Sequence, residues 1–187
     1  MNICIPIRVK NSKNLFKLLK TANNEADLIE IWFDEITDLN PENLKKILNS
    51  VKKPLIYKVS SIDGENFHLI GKNSFKSIQF VDIDIKTTPE FIKPLKQANP
   101  KLKTIISYHD FEETPTLQKL KAIISKMLKN GADIVKIATT ATSHDDSLKM
   151  LSYLREITGN GQPAICLCMG KFGQLTRTAG HLFGNYL

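Results

Sequence analysis

The stretch TPTLQKLKAIISKMLKNGADIVKIA, residues 114–138, decides the fold. Its first part reads as a helix: Thr114 offers an N-cap hydroxyl and Pro115 suits the first helical position. Leu117, Leu120, Ile124, Met127 and Leu128 then recur at helical spacing. Asn130-Gly131 ends the run, and Asp133 to Ala138 follows as a short strand rich in β-branched residues. Helix and strand alternating in this way is the signature of an α/β protein.

Outward from this stretch the alternation continues in both directions. Strands are expected at Ile3–Val9, Asp27–Phe33, Pro54–Val59, Phe80–Ile85, Leu102–Ser107, Asp133–Ala138 and Pro163–Met169. Ser143, a capping hydroxyl followed by Asp145 and Asp146, opens a second well-marked helix, with Leu148, Leu151, Leu154 and Ile157 as its buried stripe before Gly159. Further helices fit residues 11–23, 41–50, 88–97 and 172–184. The link from Val59 to Phe80, interrupted by Gly64 and Gly71, has little room for one.

Composition bounds the function. The 187 residues, 42% apolar and 24% charged, suit one soluble domain spanning residues 1–187, and no apolar run approaches the roughly 20 residues of a membrane span. The N-terminus lacks the pattern of a secretory signal, so the expected location is cytoplasmic. The net charge of +7 comes from dispersed lysines, with Arg8, Arg155 and Arg177 as the arginines. That spread argues against a nucleic-acid surface and favours anionic small molecules. Cys4, Cys166 and Cys168 form an odd set. The C-x-C pair on a strand shares one face and reads as reduced and buried, and a metal would need more ligands than it supplies.

Parallel α/β barrels keep reactive groups at the C-terminal ends of their strands. His109 closes the fifth strand and Lys136 lies near the end of the sixth, flanked by Val135 and Ile137. Two readings of Lys136 stand side by side: an exposed strand end reaching solvent, or a desolvated amine able to attack a ketone and form a Schiff base. His109 reads either as a structural histidine or as the group that moves a proton beside that imine. His68, His144 and His181 have no comparable setting and read as loop or helix-surface residues.

Three ordered motifs carry a resemblance. They are Ser107-Tyr108-His109-Asp110-Phe111 with Thr114-Pro115, then Gly131 to Ala138, then Met169-Gly170-Lys171-Phe172-Gly173-Gln174-Leu175-Thr176-Arg177-Thr178-Ala179-Gly180. Together they resemble the signature of the type I 3-dehydroquinate dehydratases, with Glu30 and Asp34 a weaker match to that family's E-x-R-x-D strand. The resemblance implies a TIM-type (β/α)8 barrel and a hydro-lyase of the shikimate pathway that converts 3-dehydroquinate to 3-dehydroshikimate without metal or cofactor. It implies Lys136 as the imine-forming residue and His109 as its proton-transfer partner. Arg177 would hold the substrate carboxylate, Glu30 and the residue at position 58 would meet the substrate, and Met169 would line the pocket. A homodimer is one association state the resemblance implies, since that family commonly forms dimers, but it fixes no stoichiometry.

Departures accompany the matches. Trp32 stands where the family has an arginine two residues after Glu30, and Lys58 stands for an arginine at the end of the third strand. Ile62 replaces a histidine-orienting glutamate, with Asp63 beside it as a substitute. Seven strand-helix units are expected up to Leu187, with an eighth unit and its lid segment lacking, which would leave strands one and seven with unpaired edges. The competing readings are a degenerate relative that binds a small anion or a partner chain, the first part of a bifunctional enzyme, and another Schiff-base barrel such as an aldolase.

Overall fold

The computed structural model describes residues 2–59, 78–86 and 89–187. The readings placed on Gly64, Gly71, Ile62, Asp63 and His68 lie outside the described residues. Two compact units make up the chain, residues 2–104 and 105–187. No helix among the described residues is long and apolar enough to cross a membrane.

In the first unit an asparagine opens each of the first two helices. Asn11 Oδ1 accepts the Asn14 N–H at 2.9 Å ahead of α1 (Ser12–Glu25), and Asn40 Oδ1 accepts the Asn43 N–H at 2.9 Å ahead of α2 (Pro41–Ser50). Leu15, Leu19 and Ala22 of α1 and Leu44 and Ile47 of α2 are buried at helical spacing. The strands β1 (Cys4–Ile7), β2 (Leu28–Trp32), β3 (Leu55–Val59) and β4 (Phe80–Asp84) pair in parallel and in chain order, and α3 (Pro89–Ala98) follows. Because side chains alternate along a strand, the register sorts them into two faces. One carries Ile29, Ile31, Leu55, Tyr57, Val81 and Ile83, all buried, with Tyr57 stacked on Phe33 at 4.2 Å. Each such side chain contributes roughly 1.5–3 kcal/mol by leaving water. The other face carries Glu30, Trp32, Lys58 and Asp82.

The second unit repeats the plan. β5 (Lys103–Asp110) leads into it, followed by α4 (Leu117–Lys129), β6 (Ile134–Thr140), α5 (His144–Gly159), β7 (Ala164–Met169) and α6 (Gln174–Ala179). β5, β6 and β7 pair in parallel. A strand thus occupies every run in which the sequence places one.

The helix starts differ from expectation in an instructive way. Thr114 does not cap α4. Its hydroxyl is buried, donating to the Thr140 carbonyl at 2.9 Å and sharing a hydrogen bond with the Thr139 hydroxyl at 2.9 Å. Thr116 caps the helix instead, accepting the Lys119 N–H at 3.4 Å, so Pro115 lies ahead of the cap. Ser143 occupies the N-cap of α5 without a side-chain capping bond, and Asp146 reaches back to accept both the N–H and the hydroxyl of Thr142 at 2.9 Å. Leu148, expected in the buried stripe, is 56% exposed, and Met150, Leu151, Tyr153, Leu154 and Ile157 form the buried side. Leu117 and Leu128, at the two ends of α4, are likewise exposed, while Leu120, Ile124 and Met127 are buried.

The segment after β7 departs most. The helix expected over 172–184 is broken into a 3-10 turn at Lys171–Gly173, α6, and a second 3-10 turn at Gly180–Phe183. Strand seven ends the sheet, as expected, but its outer edge is not bare. On the side of β7 away from β6, Cys166 N–H donates to Asn185 Oδ1 at 2.9 Å and Cys168 N–H donates to the Thr176 hydroxyl at 2.8 Å. The Ala164 carbonyl there accepts the Tyr186 N–H at 2.8 Å. Side chains and a returning backbone thereby satisfy groups that another strand would otherwise meet. Gly184, at φ 89°, supplies the left-handed turn that brings Asn185 and Tyr186 back to the strand.

Asp146 gives this architecture a pH signature. Burial pushes its carboxyl up, but Lys149 at 2.9 Å and the two Thr142 donors outweigh it and bring the pKa down to about 2. A carboxyl lowered from its ordinary 3.8 adds stability that is complete above that value and is lost as pH falls toward 2. Urea unfolding as a function of pH should lose roughly 2 kcal/mol of this contribution across that interval. Asp146→Asn should be less stable at neutral pH and show a shallower acid decline, and an unchanged pH slope in that variant would contradict the assignment.

Candidate active site

In the second unit strand register brings several of the motif side chains to one face. β5 and β6 pair Ser107 with Lys136 and His109 with Ala138, while β6 and β7 pair Lys136 with Ile165 and Thr140 with Met169. Counting in steps of two puts Ser107, His109, Lys136 and Met169 on the same face of three adjacent strands. Lys136 is the third residue of β6 and only 9% exposed, so it stands within the strand rather than near its end. The side chain is thus largely buried instead of extending from an exposed strand end. His109 is half-buried, and the residues flanking it hold the strand end.

Tyr108 and Asp110 are that hold. The Tyr108 hydroxyl donates to Asp110 Oδ2 at 2.9 Å, and Asp110 Oδ1 accepts the N–H groups of Glu112 and Glu113, each at 3.1 Å. Burial and this bond push the Tyr108 hydroxyl up to about 12. Partial burial raises Asp110, but the Glu113 and Glu112 donors, Tyr108 and nearby Lys119 outweigh it and leave the carboxyl below its usual value. Asp110 therefore stays charged and ends β5 in a tight side-chain-to-backbone turn. Thr140 Oγ1 ties the same residue's carbonyl to β6 at 3.2 Å. The Phe111 ring, 72% exposed, lies parallel to His109 at 6.0 Å. His144 and His181 are exposed, as their sequence setting implies.

Arg177 is exposed on α6, directly after the buried Thr176. The cysteines are free thiols. Burial pushes Cys166 up to about 12, and Cys168 is also raised by burial, with the Thr114 and Thr139 hydroxyls at 3.8 and 3.7 Å from its sulfur. Thiols so placed behave as small apolar side chains.

In the first unit the polar face is organised around a buried ion pair. Register aligns Trp32, Lys58 and Asp82 in one row across β2, β3 and β4. Lys58 Nζ donates to Asp82 Oδ1 at 2.7 Å, with the two side chains 2% and 0% exposed. Trp32 Nε1 donates to Glu30 Oε1 at 2.9 Å, and the indole ring has Arg8 over it at 4.8 Å and Lys58 at 5.6 Å. The tryptophan thus orients Glu30 and offers its π face to two cations. Arg8 is braced by Glu35, which also pairs with Lys10 at 3.1 Å. Sequence reasoning missed Asp82. The signal was present in Val81-Asp82-Ile83-Asp84, where an acid interrupts a buried apolar strand.

Comparison with known proteins brings these features under one heading. The family model described as type I 3-dehydroquinase matches residues 3–187. A 3-dehydroquinate dehydratase of Methanococcus maripaludis strain C6 is 33% identical over 196 residues, covering 99% of this chain and 87% of the relative. A bifunctional 3-dehydroquinate dehydratase/shikimate dehydrogenase of Arabidopsis thaliana is 31% identical across 99% of this chain and 32% of its own length. Among solved structures, a type I 3-dehydroquinate dehydratase from Clostridium difficile with covalently modified comenic acid superposes with a TM-score of 0.82 at 27% identity. That match covers 100% of this chain and 82% of the other. These likenesses place the fold in the α/β, TIM-type class, with seven strand-helix units here.

The buried pair makes a direct prediction. Lys58→Met takes away the countercharge 2.7 Å from the buried Asp82 carboxylate and should cost about 3–5 kcal/mol in urea unfolding. The double variant Lys58→Met with Asp82→Leu should recover most of that loss, because two apolar side chains leave no orphan charge. A double variant no more stable than the single one would show that the two charges do not depend on each other.

Proposed function

The chain belongs to the type I 3-dehydroquinase family, and from that premise we propose that it dehydrates 3-dehydroquinate to 3-dehydroshikimate through an imine on Lys136. The observation that carries the reading is the placement of Lys136 and His109 on one face of adjacent strands, with the lysine buried. Support for covalent chemistry comes from the Clostridium difficile relative, whose structure holds covalently modified comenic acid.

In the proposed sequence the Lys136 amine adds to the ring ketone and expels water, forming a protonated imine. That group withdraws electrons from the adjacent C–H bond, and His109 takes the proton. The resulting enamine pushes out the hydroxyl one carbon further on, to which His109 returns the proton. Hydrolysis of the imine then frees the product and restores the lysine. Water consumed in the last step balances water lost in the first, so the net change is loss of one molecule of water. No oxidant or reductant enters the balance.

Arg177 is assigned to the substrate carboxylate, a role suited to a planar, permanently charged fork. Met169 is assigned to the pocket wall, and Glu30 and Lys58 to substrate hydroxyls. For Glu30 the support is its fixed orientation by Trp32, and for Lys58 its charge, held in place by Asp82.

Conversion of 3-dehydroquinate to the conjugated enone, followed by ultraviolet absorbance, tests the reading. Lys136→Ala should abolish turnover, and His109→Ala should lower kcat by about 10²–10⁴, the usual range for a lost general acid–base. Turnover that survives in Lys136→Ala would overturn the imine route. A folded parent chain that binds 3-dehydroquinate without converting it would place the protein among non-catalytic members.

A further inference from the structure

Arg177 stands on α6, a helix of six residues. So short a helix does not hold itself in water, because its first turn fixes more dihedral freedom than its few hydrogen bonds repay. The place of Arg177 is therefore set by what α6 is tied to. Thr176, the residue before it, is completely buried, and its hydroxyl makes two bonds. It accepts the Cys168 N–H at 2.8 Å and donates to the Gly173 carbonyl at 2.7 Å. The first bond fastens α6 to β7, and the second closes the turn that enters the helix.

The rest of the segment leaves little slack. A Cβ on Gly173 would stand 2.3 Å from the Cys168 carbonyl oxygen, so the turn lies directly against the end of β7. Ser147 Oγ donates to the Phe172 carbonyl at 2.6 Å and pins the same turn to α5. Arg177, in contrast, has no hydrogen bond or ion pair among the described residues, so nothing there holds its guanidinium directly.

We propose that Thr176 is the positioning residue for Arg177: its buried hydroxyl, held between Cys168 and Gly173, fixes the backbone from which the guanidinium meets an anionic group of the substrate. This rests on the assignment of Arg177 to the substrate carboxylate. A two-pronged guanidinium–carboxylate contact depends on angle as well as distance, so a small shift of its backbone weakens it. Valine at 176 keeps the shape of threonine but leaves the Cys168 N–H and the Gly173 carbonyl without their partner, whereas serine keeps both bonds.

Steady-state kinetics on the full chain with 3-dehydroquinate tests this in Thr176→Val, Thr176→Ser, Arg177→Ala and the double variant Thr176→Val with Arg177→Ala. Thr176→Val should raise KM about tenfold with kcat held within about threefold, the pattern of lost substrate binding rather than lost chemistry. Thr176→Ser should stay within about twofold of the parent. Arg177→Ala should raise KM by about 100-fold, and adding Thr176→Val to it should change KM by less than about twofold, because both act through one guanidinium. If the valine variant is not recovered folded, Thr176→Cys serves, with the same KM-selective loss expected. A full tenfold effect of Thr176→Val on the Arg177→Ala background, or a serine variant as impaired as the valine one, overturns the positioning role. So does an unchanged KM in Thr176→Val while Arg177→Ala raises it, an outcome that leaves the carboxylate assignment standing. An unchanged KM in Arg177→Ala removes that assignment and the positioning role with it.

Discussion

An ammonium group buried in a parallel strand constrains everything around it, because it must be paired, or neutral and reactive, or it unfolds the sheet. This chain buries two such lysines. Lys58 stands in register between Trp32 on β2 and Asp82 on β4, and its ammonium is held by the Asp82 carboxylate. Lys136 is buried in β6 beside the strand that carries His109. Both lysines sit in strands that are buried along nearly their whole length. The fold thus keeps two lysine side chains largely from water.

The alternation of strands and helices was legible in the sequence because it depends on local signals: β-branched runs, apolar residues at helical spacing, and glycine or asparagine at the stops. What was not legible depends on contacts far along the chain. Thr114 has the chemistry of an N-cap, yet its hydroxyl is spent on Thr139 and Thr140 of β6, some 25 residues on. Leu148 fits a helical apolar stripe, but the buried side of α5 includes Tyr153 and Met150 and passes Leu148 by. The edge of β7 looked bare because no further strand could be read. Thr176, Asn185 and Tyr186 cover it with individual hydrogen bonds that have no sequence period.

The candidate site was legible to the extent that motif residues fall on one strand face. His109, Lys136 and Met169 are read from strand ends and motifs, and the register of β5, β6 and β7 puts them on one face. Asp82 was not found, because an acid inside an apolar run reads as an interruption until a lysine is seen opposite it. Trp32, which stands in the sequence as the loss of an arginine, has a positive account in the structure: its N–H orients Glu30, and Arg8 and Lys58 each lie over its ring. The motif around Arg177 also gains a physical meaning, since Gly173 and Thr176 are the two residues whose size and hydroxyl hold α6 against β7.

The claim on which the account turns is that the Lys136 amine bonds covalently to the substrate ketone. Borohydride reduction of the chain incubated with 3-dehydroquinate, followed by peptide mass spectrometry, tests it directly. The account predicts a reduced ligand adduct on the peptide containing Lys136 and none in Lys136→Ala. A folded, catalytically active chain that gives no adduct there, or carries it on another lysine, would contradict it.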